Sequence, residues 1–271
     1  MNDKRSYTIY IEATNYLYQH AIGLTESVLE EYFVNPRKKA LNEAFGVVIS
    51  SAEDWHKPKA RNIKYKERWN DIEKVVGNHK LSYVINTFEG DPQKLYSAFT
   101  KNISLDSKQF TKDVWLSYAN SICGMAQYLS KFKNTEDMYN YFDKFQTPSE
   151  KNKLINEVSQ QSRIIKTKWS WGFALSANWL KDIGMIDYCK PDIQVTNCLN
   201  SLGLCSKTNT VVFKTLVNIA EDSKKYDKTA SAFKLDRIIW LIGSGDFYGH
   251  PEIKWNGSLE GLVSELKTKI K

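Results

Sequence analysis

Apolar residues recur at helical spacing along almost the whole chain, and no convincing run alternates apolar and polar residues over the length of a strand. This pattern constrains the fold more than any other feature. A period near 3.6 lines up one buried stripe on a helix, whereas a half-buried strand needs a period of 2. Tyr10, Ala13, Leu17 and Ala21 form one stripe. Trp115, Tyr118, Ile122, Met125 and Leu129 form another, within a helix expected from about residue 107 to 132. The breaks fall at residues that punctuate helices: Asn35-Pro36, Gly77-Asn78, Gly90-Asp91-Pro92 and Thr147-Pro148-Ser149. Asn134-Thr135-Glu136-Asp137 and Thr147-Pro148-Ser149-Glu150 read as capped helix starts. The expected fold class is all-α, with about a dozen helices.

Composition narrows the class further. The chain is 42% hydrophobic and 25% charged, the balance of a globular protein. With 13 glycines and 6 prolines in 271 residues, collagen-like, low-complexity and turn-dense all-β chains are excluded. No fixed-period repeat argues for a solenoid. No apolar run reaches the roughly 18–20 residues of a membrane span, and the start, MNDKRSYTIYIEATNY, lacks a signal-peptide core. A cytoplasmic protein without membrane contact is expected. Cys123, Cys189, Cys198 and Cys205 contain no CxxC pair and have no histidine nearby, which is poor metal-ligand spacing. They read as small buried hydrophobes, and no metal is expected.

The formal net charge is +7, and lysines alternate with 8 Trp, 15 Tyr and 12 Phe. Positive charge beside flat rings suits phosphate contact with base stacking, although most rings are expected in the core. Asp54-Trp55-His56-Lys57-Pro58-Lys59-Ala60-Arg61 reads as an exposed basic loop or a solvated connector. His20, His56, His79 and His250 are scattered and read as structural or surface residues.

The most informative stretch is 163–205, RIIKTKWSWGFALSANWLKDIGMIDYCKPDIQVTNCLNSLGLC. It implies a turn at Trp169-Ser170-Trp171-Gly172, a helix from Phe173 to about Ile183, a connector, and a second helix from Pro191 to about Leu202. Proline suits a first helical turn because its missing N–H has no partner there, and an aspartate beside it is favoured by the unpaired amides.

This order resembles the helix-hairpin-helix DNA glycosylase superfamily, which includes endonuclease III and the 8-oxoguanine DNA glycosylases. The hairpin position reads Trp169-Ser170-Trp171-Gly172, and the helix reads Phe173-Ala174-Leu175-Ser176-Ala177-Asn178-Trp179-Leu180. The aspartate motif reads Lys190-Pro191-Asp192-Ile193-Gln194-Val195. Asn197 to Leu204 fits the next helix of the family, and Leu235 to Gly245 looks like its closing helix. The sequence departs from the pattern at Ser170, where glycine is usual, and at Gln194, where histidine is frequent. It departs again at Ala174, which stands where strand-cutting members carry a lysine, although the spacing from 174 to 192 is that of the family.

The resemblance implies two helical subdomains with a helix-hairpin-helix (about 163–183) and a DNA-binding cleft. One would span 46–205 and include the aspartate helix at 191–203; the other would join 1–45 with 206–271. It implies a monofunctional N-glycosylase acting on a damaged or modified base flipped out of double-stranded DNA, for base-excision repair or defence against modified phage DNA. Asp192 would be catalytic, the protein monomeric, and no cofactor needed. Trp171, Gly172, Phe173 and Ala174 would bind the DNA backbone through their amides, helped by Lys166 and Lys168. Trp169 and Trp171 would line the base pocket or DNA face. The wedge position falls at Val48 to Glu53, without the usual glutamine. From the residues themselves other readings stay open: Asp192 as an ordinary helix cap, and the two lysines as a solvated face. The corresponding alternatives are a non-catalytic DNA-binding protein and an all-α protein-interaction domain.

Overall fold

The computed structural model describes residues 2–51, 65–103, 112–167 and 171–270. The basic loop at 54–61 with His56, the end of the wedge segment at Ala52 and Glu53, and Lys168, Trp169 and Ser170 lie outside them. Among the described residues there are fourteen helices, and the only sheet is an antiparallel pairing of Ala21–Ile22 (β1) with Lys254–Trp255 (β2). The protein is all-α. None of these helices is long and apolar enough to cross a membrane.

The chain divides into two compact units, 1–36 with 184–271, and 37–183. The boundaries expected at 45/46 and 205/206 therefore fall elsewhere, and the Asp192 helix belongs with the two ends of the chain. The reason is packing: that helix rests on the C-terminal helices of the same unit.

In the first unit, α1 (Asp3–His20) and α2 (Glu26–Glu31) are N-terminal, and α11 (Ile193–Ser201), α12 (Asn209–Ser223), α13 (Ala232–Ser244) and α14 (Leu259–Lys269) follow residue 184. The predicted stripe of α1 is buried at Tyr10, Ala13 and Leu17, and the helix lies along α12, α13 and α14. Helix α11 packs on α12, α13 and α14. Its seat on α13 is close: a Cβ at Gly243 would meet Gln194 Oε1 at 2.5 Å.

The second unit holds α3 (Leu41–Ser51), α4 (Tyr65–Val75), α5 (Leu81–Phe88), α6 (Pro92–Asn102), α7 (Lys112–Leu129), α8 (Thr135–Phe142), α9 (Pro148–Gln161) and α10 (Phe173–Asp182). Helix α7 is the axis, touching α3, α5, α6 and α9. Its stripe Trp115, Tyr118, Ile122, Met125 and Leu129 is fully buried. Local chemistry starts the helices where the sequence predicts. Asp91, Asn134 and Thr147 accept amide hydrogen bonds as N-caps, and Thr147 with Glu150 completes a capping box over Pro148. Cys123, Cys189 and Cys198 are buried and unbridged, and Cys205 is half-buried. Burial pushes the Cys123 and Cys198 thiols up to about 12, so they behave as small apolar groups.

Candidate functional site

Asp192 is the N-cap of α11. Its Oδ1 accepts from the amides of Gln194 at 2.9 Å and Val195 at 3.0 Å. Pro191 therefore sits one residue before the cap rather than in the first helical turn, because the carboxylate, not the proline ring, takes the boundary position. The approach is fixed from α13: the Lys190 amide donates to Oδ2 of the buried Asp236 at 3.2 Å. Asp192 itself is half-buried. Its carboxylate is thus held in one orientation by backbone amides at its own helix start, on a residue that solvent reaches.

Helix α10 begins differently, with Gly172 as its N-cap and so without a capping side chain from that position. Gly172, Phe173 and Ala174 are half-buried and Lys166 is exposed. Trp171 is different: its ring is 1% exposed and belongs to the core of its unit, which corrects its expected place on a DNA face or in a base pocket. The reason is visible in the hydrogen bonds, since the Trp171 carbonyl accepts from Ser159 Oγ at 3.2 Å and Ser162 Oγ at 3.4 Å and is drawn against α9. Trp179 is also core, with its indole N–H donated to the Ala44 carbonyl at 3.0 Å.

The segment entering this region is held by a residue the sequence reading passed over. Asn120, 1% exposed on α7, accepts the amides of Ile164 and Ile165 on Oδ1 at 3.0 and 3.1 Å. Its Nδ2 donates to the Ile165 carbonyl at 2.9 Å. Gly124, one helical turn on, allows the contact, because a Cβ there would stand 2.6 Å from the Ser162 carbonyl carbon. The available signal was an asparagine in the middle of a helix whose stripe is apolar, where a side-chain amide needs partners.

A second cluster was also missed. Lys38, Asn42, Glu43, Gly46, Val47, Ser50, Trp69, Asn78 and His79 line an open cleft of about 580 Å³ in the unit 37–183. Gly77, Asn78 and His79 are three consecutive residues with positive φ, and only the first is a glycine. The signal was Gly77-Asn78, recognisable as a turn but not as one that carries His79 into this cleft.

No protein-family model matches the chain, and no curated protein or solved structure matches it significantly. The resemblance to the glycosylase superfamily rests on the residues quoted for it. In the structure those residues fall on two units: Gly172, Phe173 and Ala174 in 37–183, and Asp192 in the other.

Proposed function

We propose that the protein is a monofunctional DNA N-glycosylase that hydrolyses the bond between a modified or damaged base and its sugar. The observation that carries this reading is Asp192, a half-buried carboxylate oriented by two backbone amides at the start of a helix. The helix start at Gly172, half-buried and followed by the half-buried Phe173 and Ala174, is the position proposed to meet a phosphate, with the exposed Lys166 nearby in sequence.

In this reaction the C1′–N bond breaks and positive charge builds on the sugar. The Asp192 carboxylate stabilises that charge and orients a water. The water oxygen bonds to C1′, and its proton ends on the departing base. Ala174 offers no amine, so no Schiff base forms there and the strand is not cut.

The bidentate cap also favours a second reading, in which Asp192 only starts a helix and the protein holds DNA without reacting. Asp192→Asn separates the two, because the amide oxygen still accepts the cap hydrogen bonds while the negative charge is gone. With duplexes carrying a panel of modified bases, base release read by mass spectrometry should fall by about 10²–10³-fold in the variant, with DNA affinity retained. Absence of base release by the wild type across the panel, with salt-dependent DNA binding intact, would establish the binding reading instead. Borohydride should trap no covalent adduct with the wild-type protein.

A further inference from the structure

We infer that the cleft around His79 is a binding site for a nucleobase bearing a phosphate. The inference is independent of Asp192, since every residue it uses lies in the unit 37–183.

The cleft is assembled from three short pieces of chain. Helix α3 contributes Asn42, Glu43, Gly46, Val47 and Ser50, which share one face at helical spacing. Helix α4 contributes Trp69, and the turn after it contributes Asn78 and His79. The turn is tied by Gly77 N–H to the Lys74 carbonyl at 3.2 Å and by Asn78 N–H to the Glu73 carbonyl at 2.8 Å. His79 follows with φ +61°, a left-handed conformation that costs an L side chain free energy. That cost carries the imidazole onto Trp69, with ring centroids 4.7 Å apart and planes at 54°. Gly46 leaves room for the ring, as a Cβ there would come within 3.4 Å of His79 Nδ1.

The turn therefore places a strained histidine in a corner, and there Nε2 has no hydrogen-bond partner although it is shielded from solvent. The Glu73 carboxylate approaches it only to 3.6 Å. A shielded ring nitrogen without a partner costs free energy unless a ligand atom completes it. Burial keeps the imidazole pKa below its ordinary value, which favours the neutral ring, able to donate or accept one hydrogen bond.

The surrounding groups specify the ligand's chemistry. Trp69 lines the cleft with a large apolar ring. Asn42 uses Oδ1 on the Leu81 amide at 3.0 Å, leaving its NH₂ as a donor, and Glu43 supplies an acceptor. Lys38 forms no ion pair among the described residues, and its backbone is fixed by its amide, which donates to Tyr139 Oη at 2.8 Å. A flat heterocycle with both donors and acceptors and one anionic extension meets all four, and the cleft volume suits a group of that size. The same chemistry is found in a free nucleotide and in a base of a single strand.

The test is titration of the full-length ¹⁵N-labelled protein with adenosine, AMP, CMP, GMP, TMP and single-stranded dA and dT dodecamers. Shift changes should centre on residues 38–50 and 69–80. His79→Gln and Trp69→Leu should each weaken binding at least tenfold, while Asp192→Asn leaves it unchanged. Lys38→Ala should weaken AMP but not adenosine. Stronger binding of mononucleotides would identify a free ligand, and stronger binding of the dodecamers a strand. Shift changes confined to other regions, equal binding by His79→Gln, or no shift changes at 10-fold excess over the wild-type protein would overturn the inference.

Discussion

Two histidines, His250 in one unit and His79 in the other, use their ring nitrogens differently. In the unit 1–36 with 184–271, the His250 ring has a carboxylate oxygen 3.0 Å from each nitrogen, Glu31 on α2 and Glu252 in its own loop. A neutral imidazole has one N–H, so only the protonated ring donates to both. Asp192 in the same unit likewise spends Oδ1 on two amides. In the unit 37–183, His79 sits at positive φ with Nε2 unmatched. The first pattern contributes to stability, and the second costs it. The lesson is that a polar group left over inside a fold calls for a reason other than stability.

Asn120 breaks the simple form of this contrast, because it is a fully used polar side chain in the unit that also holds His79. Asn120→Ala leaves the Ile164 and Ile165 amides without their acceptor and should cost about 2–3 kcal/mol, read from urea unfolding. A loss below about 1 kcal/mol would mean that the segment before α10 is held by other contacts.

Asp192 is next in size. Asp192→Ala should lower the unfolding free energy by about 1 kcal/mol through loss of the cap, with Asp192→Asn close to wild type. Equal losses for both would show that the charge, not the cap geometry, does the structural work.

His79→Gly should leave stability unchanged or raise it by up to about 1 kcal/mol, because glycine adopts positive φ without strain. A clear loss would make the ring a structural element and weaken the case for a ligand.

The smallest effect is the pH dependence, where the two histidines act with opposite sign. Glu252 and Glu31 raise the His250 pKa, so its contribution is full below about pH 6.5 and is lost as pH rises through the folded value. Burial lowers the His79 pKa despite Glu73, so its contribution is present above about pH 6.5 and is lost as pH falls. Hydrogen exchange between pH 5.5 and 8 should show protection rising with pH around 69–84 and falling around 26–32 and 247–253. His79→Leu and His250→Gln should each abolish one trend.

Much of the helix pattern was legible because its causes are local. The caps at Asp91, Asn134 and Thr147 act within three residues, and the α7 stripe needs only its own periodicity. The start expected at Pro191 was two positions early because proline and aspartate compete for the same boundary. Long-range features were not legible. Trp171 is drawn inward by Ser159 and Ser162, and the division at 183/184 follows from where α11 packs. The His79 cleft joins α3, α4 and the following turn, which no window of sequence displays together.

The seat of α11 on Gly243 gives the protein a dial remote from Asp192 in sequence. Any side chain at 243 must displace the Gln194 amide, two residues from the carboxylate that starts the same helix. Alanine, serine and larger residues there would form a graded series of wedges. Such a series would shift the start of α11 by degrees, and with it the cap that Asp192 makes, without touching the aspartate itself.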